Sequence, residues 1–235
     1  MADETPGDAA ADTCDATAAR AALQRLDALG LNRGSTGNLS WRDTAAPEGA
    51  AAMWITPTGM GAADIGADDF VHVTIDGAAD GSARGRWQPS SEWHFHRAIY
   101  RARADLNAIV HVHSVHATAL ACLRRELPSF HYMVAVAGGD SVPCVPYHLF
   151  GTEALSQAVA AALVDRNACL LANHGLVAAG ATLAQAMKIT LEIEALCEVY
   201  LKALAVGEPL RLDAAQMREV IERFRSYGQR KVQGG

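Results

Sequence analysis

The run Ala108-Ile109-Val110-His111-Val112-His113-Ser114 constrains this chain more than any other segment. It is apolar and partly β-branched, and it reads as a short buried strand. Side chains two apart on a strand point to the same face. His111 and His113 can therefore reach one metal ion together. The plain alternative is two packed histidines with backbone partners. A second His-x-His, His94-Phe95-His96, fails the same geometric test. It lies in a helical pattern, where residues two apart sit about 200° apart around the axis, so its rings must diverge. A further imidazole, His174 in Asn173-His174-Gly175, and a carboxylate, Glu92 in Pro89-Ser90-Ser91-Glu92, are the remaining partners. Three nitrogen ligands, a carboxylate and an open position describe a catalytic zinc-type site. Each also has an ordinary reading. A His before Gly at a turn is often structural, and the helix dipole alone favours Glu in a first helical turn.

Charge and composition remove several function classes. The formal net charge is -6 and no Lys/Arg-rich block occurs. Binding to a phosphate backbone or an anionic membrane is thereby excluded as the main task. No apolar run approaches the roughly 20 residues of a membrane span. The first basic residue is Arg20, so the start lacks the basic and apolar parts of a signal peptide. Cysteines stand at 14, 122, 144, 169 and 197, an odd and widely spaced set without C-x-x-C. That pattern predicts reduced thiols and a cytoplasmic location.

Residues 1–15, rich in Ala, Asp, Thr and Gly, predict a disordered tail, and 16–235 a single domain. Ala18, Ala22, Leu23 and Leu26 recur at helical spacing. Short strands are expected at 38–41, 53–56 and 70–75, and a helix over 90–103, started by Pro89 and the two serines. After the His111 strand come a helix near 117–121, a strand over 142–147 and a helix over 152–165. Two strands flank Asn173-His174-Gly175, and helices over 183–205 and 214–227 close the chain. This mixed order predicts an α/β fold, a three-layer α/β/α sandwich around a central, mostly antiparallel sheet.

Gly34-Ser35-Thr36-Gly37-Asn38, Thr56-Pro57-Thr58-Gly59 and Ser90-Ser91 offer hydroxyls and backbone N–H groups that suit a phosphate. None is a Walker or dinucleotide loop, and each by itself can be a plain turn. Together with the histidines they point to metal-assisted chemistry on a small, polar, phosphorylated substrate.

The segments Gly37-Asn38-Leu39-Ser40, Ile55-Thr56-Pro57-Thr58-Gly59, Pro89-Ser90-Ser91-Glu92-Trp93, His111-Val112-His113-Ser114-Val115-His116 and Asn173-His174-Gly175-Leu176 resemble, in order and spacing, the class II aldolases of the aldolase/adducin superfamily. Within it, Pro128 to Met133, Ala137-Gly138-Gly139, Phe150-Gly151-Thr152 and Phe224 to Gly228 resemble the L-fuculose-1-phosphate aldolases most. The likeness spans roughly residues 20–230. It implies a nine-stranded-type sandwich and a homotetramer with active sites at subunit interfaces. It implies one Zn²⁺ per subunit on His111, His113 and His174, with Glu92 as a movable ligand that handles the proton. It further implies a phosphate pocket of Asn38, Thr58, Gly59, Ser90 and Ser91, and a catalytic Tyr132 reaching across the interface. Phe150, Phe224 and Tyr227 would line the aldehyde end, Tyr227 as a further proton carrier. The implied reaction cleaves a ketose 1-phosphate, L-fuculose 1-phosphate or a 5-deoxy- or 5-methylthio-pentulose 1-phosphate, to dihydroxyacetone phosphate and an aldehyde. Other members of the scaffold are pentulose-5-phosphate 4-epimerases, which usually carry Asp at the position of Glu92, and methylthioribulose-1-phosphate dehydratases. The adducin head domain is an assembly module without enzymatic activity. The chain departs from the aldolase pattern at His94, where an arginine is common.

Overall fold

The computed structural model describes residues 14–47, 50–76 and 83–226, with the side chains of 225 and 226 left aside. Tyr227 and residues 1–13 of the expected tail lie outside the described residues. Helix α1 (Ala16–Ala28) starts where Asp15 accepts a hydrogen bond from the Ala18 N–H, an N-cap that satisfies an otherwise orphaned donor. Strands β1 (Asn38–Asp43), β2 (Ala52–Ile55), β3 (Val71–Thr74) and the short β4 (Ala83–Arg84) follow. Then come α2 (Trp93–Ala102), β5 (Ala108–Val112), α3 (Val115–Cys122), a 3-10 turn at Tyr132–Ala137, β6 (Cys144–Val145) and α4 (Glu153–Ala162). The hairpin β7 (Ala168–Leu171) and β8 (Gly175–Gly180) leads into α5 (Leu183–Leu204) and α6 (Ala214–Ser226).

The strands form one sheet in the order β4-β3-β2-β1-β5-β8-β7-β6. Every pairing is antiparallel except β6 with β7. The expected antiparallel α/β/α architecture is therefore the observed one. Strand alternation divides the core in two. Ala108, Val110 and Val112 of β5 pack with α1, α3 and α5, while Ile109 packs with α2 and α4 on the opposite face. Leu39 and Trp41 of β1 join the first core, so Asn38 and Ser40 face α2.

Among the described residues the sheet has eight strands, where the resemblance implies a nine-stranded-type sandwich. The structure corrects the sequence reading at two places. The strand expected over 142–147 is confined to Cys144–Val145, because Pro143 and Pro146 on either side lack the N–H a ladder needs. Helix α2 begins at Trp93, not Ser90. The Ser90 N–H is instead bonded to the Thr56 carbonyl at 2.9 Å and Pro89 bridges Pro57, so this stretch is tied to the Thr56–Gly59 turn before the helix can start.

Candidate metal centre

Four elements end at one point of the sheet. Asn38 opens β1 and pairs with His111 near the end of β5. His113 follows β5, His174 sits in the β7–β8 hairpin, and Glu92 is the residue just before α2. The ligand atoms of Glu92, His111, His113 and His174 all lie within 4.8 Å of one another. His111 Nε2 is 3.0 Å from His113 Nε2 and 3.1 Å from Glu92 Oε2, and His174 Nε2 is 3.2 Å from Glu92 Oε1. The other nitrogen of His111, Nδ1, donates to the Leu176 carbonyl at 2.9 Å. That bond sets the tautomer and leaves the Nε2 lone pair to the cluster.

The hairpin reaches the cluster because of two backbone positions. Asn173 holds a left-handed φ of 58°, which asparagine tolerates. At Gly175 a Cβ would stand 2.4 Å from the Val112 carbonyl and 3.1 Å from the His113 ring, so glycine alone permits the approach. A similar limit acts at Gly37, where a Cβ would lie 2.7 Å from the His111 carbonyl.

Electrostatics suit a cation. Burial opposes charge on Glu92, but His111, His174 and the Asn38 hydrogen bond outweigh it and hold the carboxyl well below its usual range. Burial, reinforced by the neighbouring rings, pushes His113 down to about 3 and His174 to about 4, so both offer lone pairs at neutral pH. Glu92 Oε1 is buried and makes no hydrogen bond. An orphaned carboxylate oxygen among three imidazoles is the donor set of a divalent metal site, and these residues fit one.

The cluster opens into a cavity of ≈ 350 Å³. Asn38, Thr58, Gly59, Ser90, Ser91 and Phe150 all line it, as do Ser35 and Thr36. The Asn38 amide is largely committed: Nδ2 donates to Glu92 Oε2 at 2.9 Å and Oδ1 accepts from His96 Nε2 at 2.5 Å. Tyr132 and Phe224 are elsewhere in the subunit. Their ring centroids are 6.4 Å apart, and both line a separate cavity of ≈ 700 Å³. The two His-x-His pairs separate as geometry requires. His94 stacks on Trp93, whereas His96 is fully buried beneath β1, where burial and His111 push its pKa down to about 3. His116 bonds Glu194 at 2.9 Å, His72 pairs with Asp43 at 3.0 Å, and His131 accepts from the Met133 N–H. Sequence reasoning missed Tyr147 and His148, which line the cavity, and the role of His96. No spacing rule exposes the first two, since a loop of irregular backbone delivers them.

Comparison with known proteins agrees with this geometry. The family described as "Class II Aldolase and Adducin N-terminal domain" matches residues 18–201. A 5-methylthioribulose-1-phosphate/5-deoxyribulose-1-phosphate aldolase of Rhodospirillum rubrum is 45% identical over 207 residues, covering 88% of this chain and 89% of the relative. An L-fuculose phosphate aldolase of Escherichia coli (strain K12) is 44% identical over 203 residues, covering 86% and 90%. A solved structure of an L-fuculose 1-phosphate aldolase superposes with a TM-score of 0.82 at 37% identity, over 89% of this chain and 95% of that one.

Proposed function

The chain belongs to the class II aldolase and adducin family, and we propose that it is a metal-dependent aldolase cleaving a ketose 1-phosphate to dihydroxyacetone phosphate and an aldehyde. The observation that carries this reading is the convergence of Glu92, His111, His113 and His174 at the wall of a cavity whose other wall is rich in hydroxyls. The substrate is L-fuculose 1-phosphate or a 5-deoxy- or 5-methylthio-pentulose 1-phosphate, the sugars named for the relatives. Imidazole and carboxylate donors favour zinc, one ion per subunit. That ion would supply Lewis-acid polarisation of the ketone. Ser90, Ser91, Thr58, Gly59 and the remaining N–H of Asn38 hold the phosphate through hydroxyl and backbone donors. Glu92 delivers a proton to the carbon of the ketone half in cleavage and removes it in condensation. Phe150 and Phe224 line the aldehyde end, and Tyr132 or Tyr227 handles the proton on the departing aldehyde oxygen.

The same reading makes the protein a cytoplasmic homotetramer, with residues 16–235 as one domain and 1–15 as a tail. Tyr132 and Phe224 lie away from their own subunit's histidines, and Tyr147, Leu149 and Phe150 are exposed beside the cavity. Both features suit active sites completed by a neighbouring copy. No described helix is long and apolar enough to cross a membrane. Light scattering should return a mass four times that of the chain, and a monomer would refute the shared site.

An aldehyde screen tests the activity. Purified protein, Zn²⁺ and dihydroxyacetone phosphate are offered L-lactaldehyde, acetaldehyde and methylthioacetaldehyde in parallel. Condensation with one of them identifies the sugar. No condensation with any of them rejects the aldolase.

A further inference from the structure

Strand β1 and helix α2 face each other with a row of buried polar side chains that meets the four-residue cluster only at Glu92. On β1, Asn38 and Ser40 share the face toward α2. Glu92, which caps the start of α2, and His96 and Tyr100 within it stand four residues apart and so line one side. The two rows interleave. Tyr100 Oη is 3.0 Å from Ser40 Oγ, Ser40 Oγ is 2.7 Å from His96 Nδ1, His96 Nε2 is 2.5 Å from Asn38 Oδ1, and Asn38 Nδ2 is 2.9 Å from Glu92 Oε2. All five side chains are buried.

The carboxylate end sets the direction of every bond. An ionised carboxylate only accepts, so Asn38 must present its NH₂ to Glu92. Its oxygen then needs the Nε2–H of His96. The neutral ring is left to accept at Nδ1 from the Ser40 hydroxyl, which accepts in turn from Tyr100. Each donor has one acceptor, and the chain ends on Oε2. The partner oxygen, Oε1, makes no hydrogen bond and has the His174 Nε2 beside it at 3.2 Å.

We propose that Ser40, His96 and Tyr100 are positioning residues for Glu92: acting through Asn38, they pin Oε2 and leave Oε1 as the oxygen that exchanges a proton with substrate. This rests on the reading of Glu92 as the proton-handling group. Without the chain the Asn38 amide can flip, and its oxygen would then repel the carboxylate it now holds.

The test uses metal-loaded, full-length protein with His96→Phe, His96→Gln, Tyr100→Phe and Glu92→Gln. Three quantities are read: bound metal, KM and kcat for cleavage, and the rate at which dihydroxyacetone phosphate exchanges its carbon-bound proton in D₂O. His96→Phe should slow kcat and exchange together by about 10- to 100-fold with parent-like bound metal, and KM should rise only as far as the Asn38 contact to the phosphate is lost with it. His96→Gln, which retains an N–H for Asn38, should recover most of that loss. Tyr100→Phe removes one hydroxyl and should cost about 3- to 10-fold in the same two rates, which covers the case of a His96→Phe protein that does not fold. Parent-like exchange in the folded variants, or a fall in rate that only follows a loss of metal, overturns the positioning role. Glu92→Gln separates the two readings. Undiminished exchange there removes Glu92 from the proton step, whereas slow exchange there beside a parent-like His96→Phe removes the positioning chain alone.

Discussion

Glu92 is charged at a place where burial opposes charge, and two imidazoles, His111 and His174, with the Asn38 amide make that tolerable. Removing its acid–base capacity while keeping its shape isolates the chemistry. Glu92→Gln is expected to keep the fold and lose at least about 100-fold in kcat, the usual scale of a positioned acid–base group. His174→Ala takes away a ligand instead, so mass spectrometry of the native protein should show metal and activity lost together. Gly175→Ala tests the approach of the hairpin. Its methyl would meet the Val112 carbonyl at 2.4 Å and push His174 from His111, so metal affinity should fall by about 10-fold or more without any ligand having been changed. At this scale the sequence is most legible where a period is strict. Alternation on β5 pairs His111 with His113, and the helical period separates His94 from His96. His148 and Tyr147 obey no period, so only coordinates reveal that they line the cavity.

Helix α3 starts at Val115, two residues after His113, and its first turn is capped from another element. Glu194 of α5 accepts from the Ser114 hydroxyl at 2.6 Å and from the backbone N–H groups of His116 and Ala117 at 2.9 and 2.8 Å. A buried carboxylate at a helix N-terminus satisfies orphan donors and favours the dipole. Glu194→Ala should cost about 2–3 kcal/mol in urea unfolding, the scale of a lost charged hydrogen bond; an unchanged midpoint would show that water replaces the cap. Nothing local announces this contact, since Glu194 reads as one polar residue in a long helix and its partners lie about 80 positions earlier. Longer elements are legible because they carry whole turns: α4 and α5 lie within a few residues of the ranges read from periodicity. Short ones yield to context, as β6 between two prolines and the late start of α2 show.

Across the whole molecule, acid sensitivity follows from burying neutral histidine. His96 is fully enclosed with a folded pKa of about 3, below the ordinary value near 6.5 that it regains on unfolding. The unfolded chain therefore binds the extra proton first, so this contribution is complete above about pH 6.5 and is lost as pH falls toward 3, by up to about 1.4 kcal/mol per unit. Urea midpoints of chelated protein should decline from pH 6.5 to 4.5. A flat profile would show the folded ring accepting the proton. The sequence by itself determined the α/β class, the antiparallel preference, the pair on β5 and the family resemblance, because strand alternation, helical period and ordered motifs are properties of neighbouring residues. Only the tertiary structure decided that Glu92 and His174 meet that pair, that the Thr56–Gly59 turn is tied to Ser90, and that Asn38, Ser40, His96 and Tyr100 form one buried chain. The physical reason is pairing between distant strands and helices. Polar residues alternating on β1 read locally as a solvent face, and they become a network only once α2 covers them and every donor must find an acceptor inside the protein.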